Sequence, residues 1–170
     1  IVFFRCLISF LIIFFFLKIK NVNIFGSNKF LLILRGIFGT LGLYFYFIIL
    51  QEIPLATAST LIYLTPLFTS LVGIIVLKEK MTFFQWISLF IAFLGILLIQ
   101  GFDSRVTIES ALIGGLGSLF AAFAYNIIRY LRDKEDSLVL MIYFPMIACP
   151  IGGIISYFNW VEPSLYDYLI

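Results

Sequence analysis

The chain has 170 residues, of which 63% are hydrophobic and 12% charged, with a net charge of +2 and a mean hydropathy of +1.16. A soluble domain carries about a quarter charged residues and about half apolar ones, so one globular core could not bury this much apolar side chain, nor so few charges coat it. These figures exclude a soluble enzyme, a nucleic-acid module and a disordered segment, and place most of the protein in lipid.

In chain order, six apolar stretches meet or approach the roughly 20 residues of a membrane-spanning helix: residues 1–17, 30–50, 55–77, 83–100, 111–131 and 138–158. Turn and charge signals separate them: Lys20-Asn21 through Asn28-Lys29, Gln51-Glu52-Ile53-Pro54, residues 78–82, 101–109 and 132–137. No separator is long enough to be a domain. The runs lack the polar–apolar alternation of barrel strands, so the expected fold is an all-α polytopic helix bundle. Ile1 stands first with an apolar run under way, and Lys18 and Lys20 follow that run where a signal peptide would carry its basic residues ahead of it. Residues 164–170 turn apolar again. The expectation is a fragment truncated at both ends.

Orientation follows from Lys and Arg near the short loops. Lys18, Lys20, Lys29, Arg35, Lys78, Lys80, Arg129, Arg132 and Lys134 fall on one side, and only Arg5 and Arg105 on the other, a split of nine to two. The basic side is cytoplasmic, so residue 1 starts outside. The nine acids, Glu52, Glu79, Asp103, Glu109, Asp133, Glu135, Asp136, Glu162 and Asp167, all lie in loops or at helix ends. None supplies the mid-depth ionisable group of a proton-coupled pump, which favours facilitated or exchange transport unless coupling resides outside this chain. There is no histidine, and Cys6 and Cys149 sit in apolar runs as small hydrophobes. No metal site and no cofactor are expected.

Three helices carry pattern. In the second, Arg35, Gly39, Gly42, Tyr46 and Ile49 share one face. The glycines suit close helix packing, Arg35 reads as a snorkelling topology anchor one turn inside the cytoplasmic end, and Tyr46 either packs or lines a cavity. The third bears Thr57, Ser59, Thr60, Tyr63, Thr65, Thr69 and Ser70, with Pro66 opening the backbone ladder near mid-span. Those hydroxyls either bond back to their own helix or, with the freed carbonyls, face a wet cavity; the cavity is preferred. In the fifth, Gly114, Ser118 and Ala122 form a small-residue face, and Asn126 must find another helix or a ligand, since an unpaired amide in hydrocarbon is costly.

From Leu34 to Phe102 the chain resembles the EamA domain of the drug/metabolite transporter superfamily. The resemblance rests on Leu34-Arg35-Gly36-Ile37-Phe38-Gly39, Ile53-Pro54-Leu55-Ala56-Thr57-Ala58 and Tyr63-Leu64-Thr65-Pro66-Leu67-Phe68, then Leu77-Lys78-Glu79, Gln85 and Gly95-Ile96. It implies ten helices in two inverted five-helix repeats around a substrate cavity. Residues 1–100 would then be the first repeat lacking its first helix, and 101–170 the start of the second. By the same resemblance Tyr46, Thr60, Tyr63, Tyr125 and Asn126 fall on cavity-lining helices and become the candidate substrate-binding residues. Arg35, Gly39, Gly42, Pro66 and Glu79 become structural, Glu79 as a cap for the following helix. Ser88 stands where the family commonly has glycine.

The function these residues point to is a multispan carrier moving a small organic metabolite by alternating access. Its partners are the lipid bilayer and a small-molecule substrate; nucleic acid has no electrostatic basis, and a homodimer is compatible with the glycine faces without being required by them. The rival readings are an assembly or scaffold subunit packing through those faces, and an intramembrane enzyme, for which no nucleophile–base pair or metal set is present within the spans.

Overall fold

The computed structural model describes residues 2–100 and 107–158. Residue 1, Asp103, Arg105, most of the loop over 101–109, Glu162, Asp167 and the apolar turn at 164–170 lie outside the described residues. Among the described residues seven helices follow one another: α1 (Val2–Ile19), α2 (Lys29–Glu52), α3 (Leu55–Ile62), α4 (Leu64–Leu77), α5 (Phe83–Gln100), α6 (Ile108–Leu131) and α7 (Ser137–Phe158). Every boundary lies within three residues of the expected stretches, and the third stretch is divided in two at Tyr63. Among the described residues there is no strand.

Local chemistry explains the ends. Helix α6 begins three residues earlier than its apolar run because Thr107 and Ser110 form a reciprocal capping box, Thr107 Oγ1 accepting from the Ser110 amide at 3.1 Å. Before α5, the Thr82 amide donates to Gln85 Oε1 at 2.7 Å, half of the same device. The first turn of α2 is capped from a distance: Glu135 Oε1 accepts the amides of Ser27 and Asn28 at 2.8 and 2.7 Å. A carboxylate there offsets the positive end of the helix and ties the α1–α2 loop to the α6–α7 loop. Tyr143 Oη adds a bond to the Phe25 carbonyl at 3.0 Å.

The contacts give the direction of each helix. Along the α2–α6 seam, Phe38 meets Phe120 and Phe123, Gly42 meets Gly117 and Ala121, and Ile49 meets Gly114. One number rises as the other falls, so the pair is antiparallel. Against α6, Leu61 of α3 pairs with Ser118, Thr69 of α4 with Asn126 and Glu79 just beyond α4 with Arg129, so α3 and α4 run parallel to α6. Helix α2 runs parallel to α7 through Gly36–Tyr143 and Gly39–Phe144, while α1 runs against α7, with Leu17 near Val139 and Phe3 near Gly152. These directions alternate as successive crossings require, and they gather the loops after α1, α4 and α6 at the end where nine basic residues lie.

Four helical rods, Lys29–Glu52, Leu55–Leu77, Ile108–Leu131 and Ser137–Phe158, are long and apolar enough to cross a bilayer by length and composition. Helices α1 and α5, of 18 residues each, rise about 27 Å, close to the roughly 30 Å of a hydrocarbon core. The outward face of α1 (Phe4, Ile8, Leu11, Ile12, Phe15) and much of α5 (Phe83, Phe84, Phe90, Ile91) are exposed and apolar, as a lipid-facing surface must be. The chain is a multi-pass membrane protein with an all-α fold.

Two apolar clusters close the bundle. Near the basic end, Leu17, Leu32, Leu131, Val139, Leu140, Ile142 and Tyr143 interlock. Near the other end, Ile49, Ile53, Ala58 and Leu61 do the same. In lipid, helices associate by close packing more than by hydrophobic exclusion, and the glycines show how close. A Cβ on Gly36 would lie 2.6 Å from the Tyr143 carbonyl oxygen, whereas one on Gly115 would meet nothing within 4 Å.

Gly36→Ala therefore forces α2 from α7 and should cost about 1–3 kcal/mol. Gly115→Ala removes a flexible residue from a helix interior and should be neutral or stabilising by about 0.5–1 kcal/mol. Denaturant unfolding of the two variants in detergent reads both; equal stability of the pair would contradict the packing described.

Candidate functional site

Between the two apolar clusters lies a cavity of about 290 Å³ walled by helices from both ends of the chain. Helix α2 supplies Arg35, Gly39, Gly42, Leu43, Tyr46 and Ile49; α3 and α4 supply Ala58, Leu61, Ile62 and Thr65. Helix α6 supplies Gly114, Gly117, Ser118, Ala121, Ala124, Tyr125 and Ile128, with Phe144 from α7 and Arg5 from α1. The small residues make the space and the closeness together: where Gly42 faces Gly117, the backbones touch, and a Cβ on Gly42 would lie 3.1 Å from Ala121 N and the Gly117 carbonyl oxygen. The stripe read from α2, Arg35-Gly39-Gly42-Tyr46-Ile49, is the α2 wall of this cavity.

Of the five candidate substrate residues, Tyr46 and Tyr125 stand on the cavity wall. Thr60, Tyr63 and Asn126 are placed off it. Thr60 is buried and donates to the Ala56 carbonyl of its own helix at 2.9 Å. Tyr63 is 65% exposed at the junction of α3 and α4. Asn126 is 3% exposed, and its Nδ2 donates to the Thr69 carbonyl of α4 and the Ala122 carbonyl of α6, both at 2.9 Å. The amide that had to find a helix or a ligand has found a helix, although its Oδ1 has no partner.

The helix break also differs from expectation in place and in consequence. Pro66 lacks the N–H that would reach the Ile62 carbonyl, and the chain gives way one turn earlier, at Tyr63, whose amide makes a short bond to the Thr60 carbonyl at 3.1 Å. The neighbouring Leu61 carbonyl is taken by Ser118 Oγ of α6 at 2.9 Å. Protein, not a wet space, receives that group. Most of the other hydroxyls bond back as well: Ser59 to Ala56, Thr69 to Thr65 and Ser70 to Pro66. Thr65 Oγ1 is the exception, buried at the cavity without a partner.

Arg35 and Glu79 also sit differently from their expected roles. Arg35 does not reach out to the membrane rim: its guanidinium lies at the cavity wall, with Cζ 5.5 Å from the centre of the Phe144 ring. Phe144 is level with Gly39, one turn deeper than Arg35, so the guanidinium is turned inward along the wall. Glu79 pairs with Arg129 at 3.0 Å, joining the end of α4 to α6, where a cap on α5 was expected. Arg5 and Ser118 are wall residues that were not among the cavity candidates, and Thr65 is the one hydroxyl of the third stretch, for which a cavity was preferred, that stands on the wall. The signal that could have found Ser118 is its place in the small-residue face of α6; for Arg5 it is a charge inside an apolar run.

A bundle of alternating membrane helices around a partly polar cavity defines a class of polytopic integral membrane protein with an internal cavity. Within that class the assignment is specific: the chain belongs to the EamA-like transporter family, which matches residues 1–101. It is 28% identical over 165 residues to the pseudopaline exporter CntI of Pseudomonas aeruginosa, a match covering 96% of this chain and 58% of that protein. It is 25% identical over 171 residues to solute carrier family 35 member G1 of Mus musculus, covering 91% and 46%. To the S-adenosylmethionine uptake transporter of Rickettsia bellii it is 22% identical over 150 residues, covering 83% and 48%. The chain thus spans about half the length of the curated relatives it matches. No solved structure matches it significantly.

The Asn126 bond to Thr69 joins α6 to α4, so Asn126→Leu should cost about 1 kcal/mol. Asn126→Asp places a charge against two carbonyl oxygens and should cost several times more. Thermal unfolding in detergent ranks the variants, and an Asp variant as stable as the parent would remove this hydrogen bond from the account.

Proposed function

We propose that the protein is a carrier that moves a small organic metabolite, amino-acid-like, nucleotide-like or amphipathic, across the cytoplasmic membrane by alternating access. The observation that supports it most is the cavity itself, whose walls come from both sides of residue 100. In the proposed division, residues 1–100 are the first repeat without its first helix and 101–170 begin the second, so the site lies between repeats, as is general for secondary transporters. Rocking of one repeat against the other about the α2–α6 seam would open the cavity to each side in turn. The basic loops face the cytoplasm and residue 1 faces outside.

The family and its relatives support the same reading, since one relative is named for export and another for uptake. Tyr46 and Tyr125 are the proposed substrate contacts, offering an aromatic face and a hydroxyl each. Asn126 holds α6 to α4 behind them, Thr60 is satisfied within its own helix, and Tyr63 with Pro66 provides the joint between α3 and α4. A scaffold subunit needs no such space, and tyrosines packed dry against neighbouring helices would have favoured it.

Full-length protein in proteoliposomes, offered labelled amino acids, nucleosides and S-adenosylmethionine, tests the proposal. At least one solute should cross faster than through protein-free vesicles. Tyr46→Ala and Tyr125→Ala should each lower that flux about tenfold or more, the loss of one good contact, while Ser59→Ala leaves it unchanged. Flux no greater than in protein-free vesicles, or tyrosine variants that carry as well as the parent, would sink the reading.

A further inference from the structure

Arg35 is an uncompensated charge. It is the seventh residue of α2, about 9 Å along the helix from its start, and its Nε and Nη1 are buried without a hydrogen-bond partner. Among the described residues no acid lines the cavity. Glu79 is held by Arg129, Glu135 by the amides before α2, and Asp136 by the Leu138 amide. Glu52 and Glu109 lie at the opposite ends of α2 and α6. The cavity brings a second cation, Arg5, and two tyrosines. A charge buried without partner is unfavourable in any protein interior and more so in a bilayer, where such a residue marks a solute or ion path.

We infer that the cavity takes an organic carboxylate, with Arg35 as the group that binds its carboxyl. This rests on the carrier reading only in identifying the occupant with the solute that crosses. A carboxylate supplies the missing countercharge through charge-assisted hydrogen bonds, and the planar guanidinium matches its geometry. The low dielectric around the site strengthens the attraction. Phe144, Leu43 and Ile128 offer apolar surface to the rest of the molecule. Inorganic phosphate has the charge but no apolar body, and leaves that surface unused.

The test is thermal unfolding of the purified full-length protein with 3-phenylpropionate, with 3-phenylpropanamide, which has the same shape without the charge, with inorganic phosphate, and with sodium chloride at matched ionic strength. The acid should raise the unfolding temperature and the other three should not. Arg35→Gln should weaken binding of the acid at least about tenfold, Arg35→Lys should keep part of it, and Arg5→Gln should weaken it less. Without ligand, Arg35→Gln should unfold at or above the parent's temperature, because it removes an unpaired buried charge; should it fail to fold, Arg35→Lys carries the comparison. Equal response to acid and amide, a response to phosphate in place of the acid, no response to the acid, or undiminished binding by the Arg35 variants would each overturn the inference. Binding is read without transport: a protein that binds the acid and carries nothing retains this site and loses the carrier reading, and one that carries a solute but does not respond to the acid does the reverse.

Discussion

The contact on which the rest of the bundle depends is the backbone-to-backbone approach of α2 and α6 at Gly42 and Gly117. Helix packing in lipid gains little from excluding water, so close approach by small residues must supply the attraction. Here it also sets registry. With α6 fixed against α2, Ser118 comes level with the Leu61 carbonyl, Asn126 with that of Thr69, and Arg129 with Glu79. The rod Leu55–Leu77, α3 with α4, is thereby held from Leu61 to just past its end at Glu79 by three polar contacts that the α2–α6 seam has positioned. The stacked rings of Phe45 and Phe120, 5.6 Å apart, flank the seam and keep it from sliding.

The same missing side chains produce the cavity. Gly39, Gly42, Gly114 and Gly117 line it, and each would bring a Cβ to 3.1 Å or less from a neighbour. A bundle that packs through glycines meets at the glycines and stands apart where larger residues such as Tyr46 and Tyr125 project beside them. Packing and cavity lining, which look like competing explanations for the α2 stripe, are two results of one arrangement. Tightness at the seam and room beside it come together.

How much of this was legible in the sequence follows from what lipid enforces. The bilayer fixes span length and segregates charge, so the helices and the common end of the basic loops could be read directly. Glu135 capping α2 could not, because the two are more than a hundred residues apart and only the fold brings them together. The faces of α2 were readable, since that helix is continuous from Lys29 to Glu52. Those of the third stretch were not: the break at Tyr63 resets the helical phase, so hydroxyls before it, such as Ser59, and after it, such as Ser70, belong to two different helices. Arg35 was misplaced for another reason. Its depth allows snorkelling, but depth says nothing of which neighbour draws the side chain inward, and the ring it lies over, Phe144, comes from α7.

Hydroxyls and amides in a membrane helix are ambiguous as residue types, and satisfaction sorts them. Thr40, Ser59, Thr60, Thr69, Ser70 and Ser88 each donate to a carbonyl within their own helix, a local bond that asks nothing of the rest of the protein. Ser118 and Asn126 donate across to another rod and hold the bundle together. Among the described residues, the buried side-chain atoms left without partners belong to Arg35, Thr65 and Asn126, and the first two stand on the cavity wall. A fold that meets the needs of so many polar groups inside lipid, yet leaves a guanidinium and a hydroxyl open on one surface, concentrates its unmet demand where a solute can answer it. Unsatisfied groups elsewhere in the bundle would only destabilise it; on this wall they are the groups through which the proposed carboxylate would be held, since a molecule that brings the complementary group stabilises each of them.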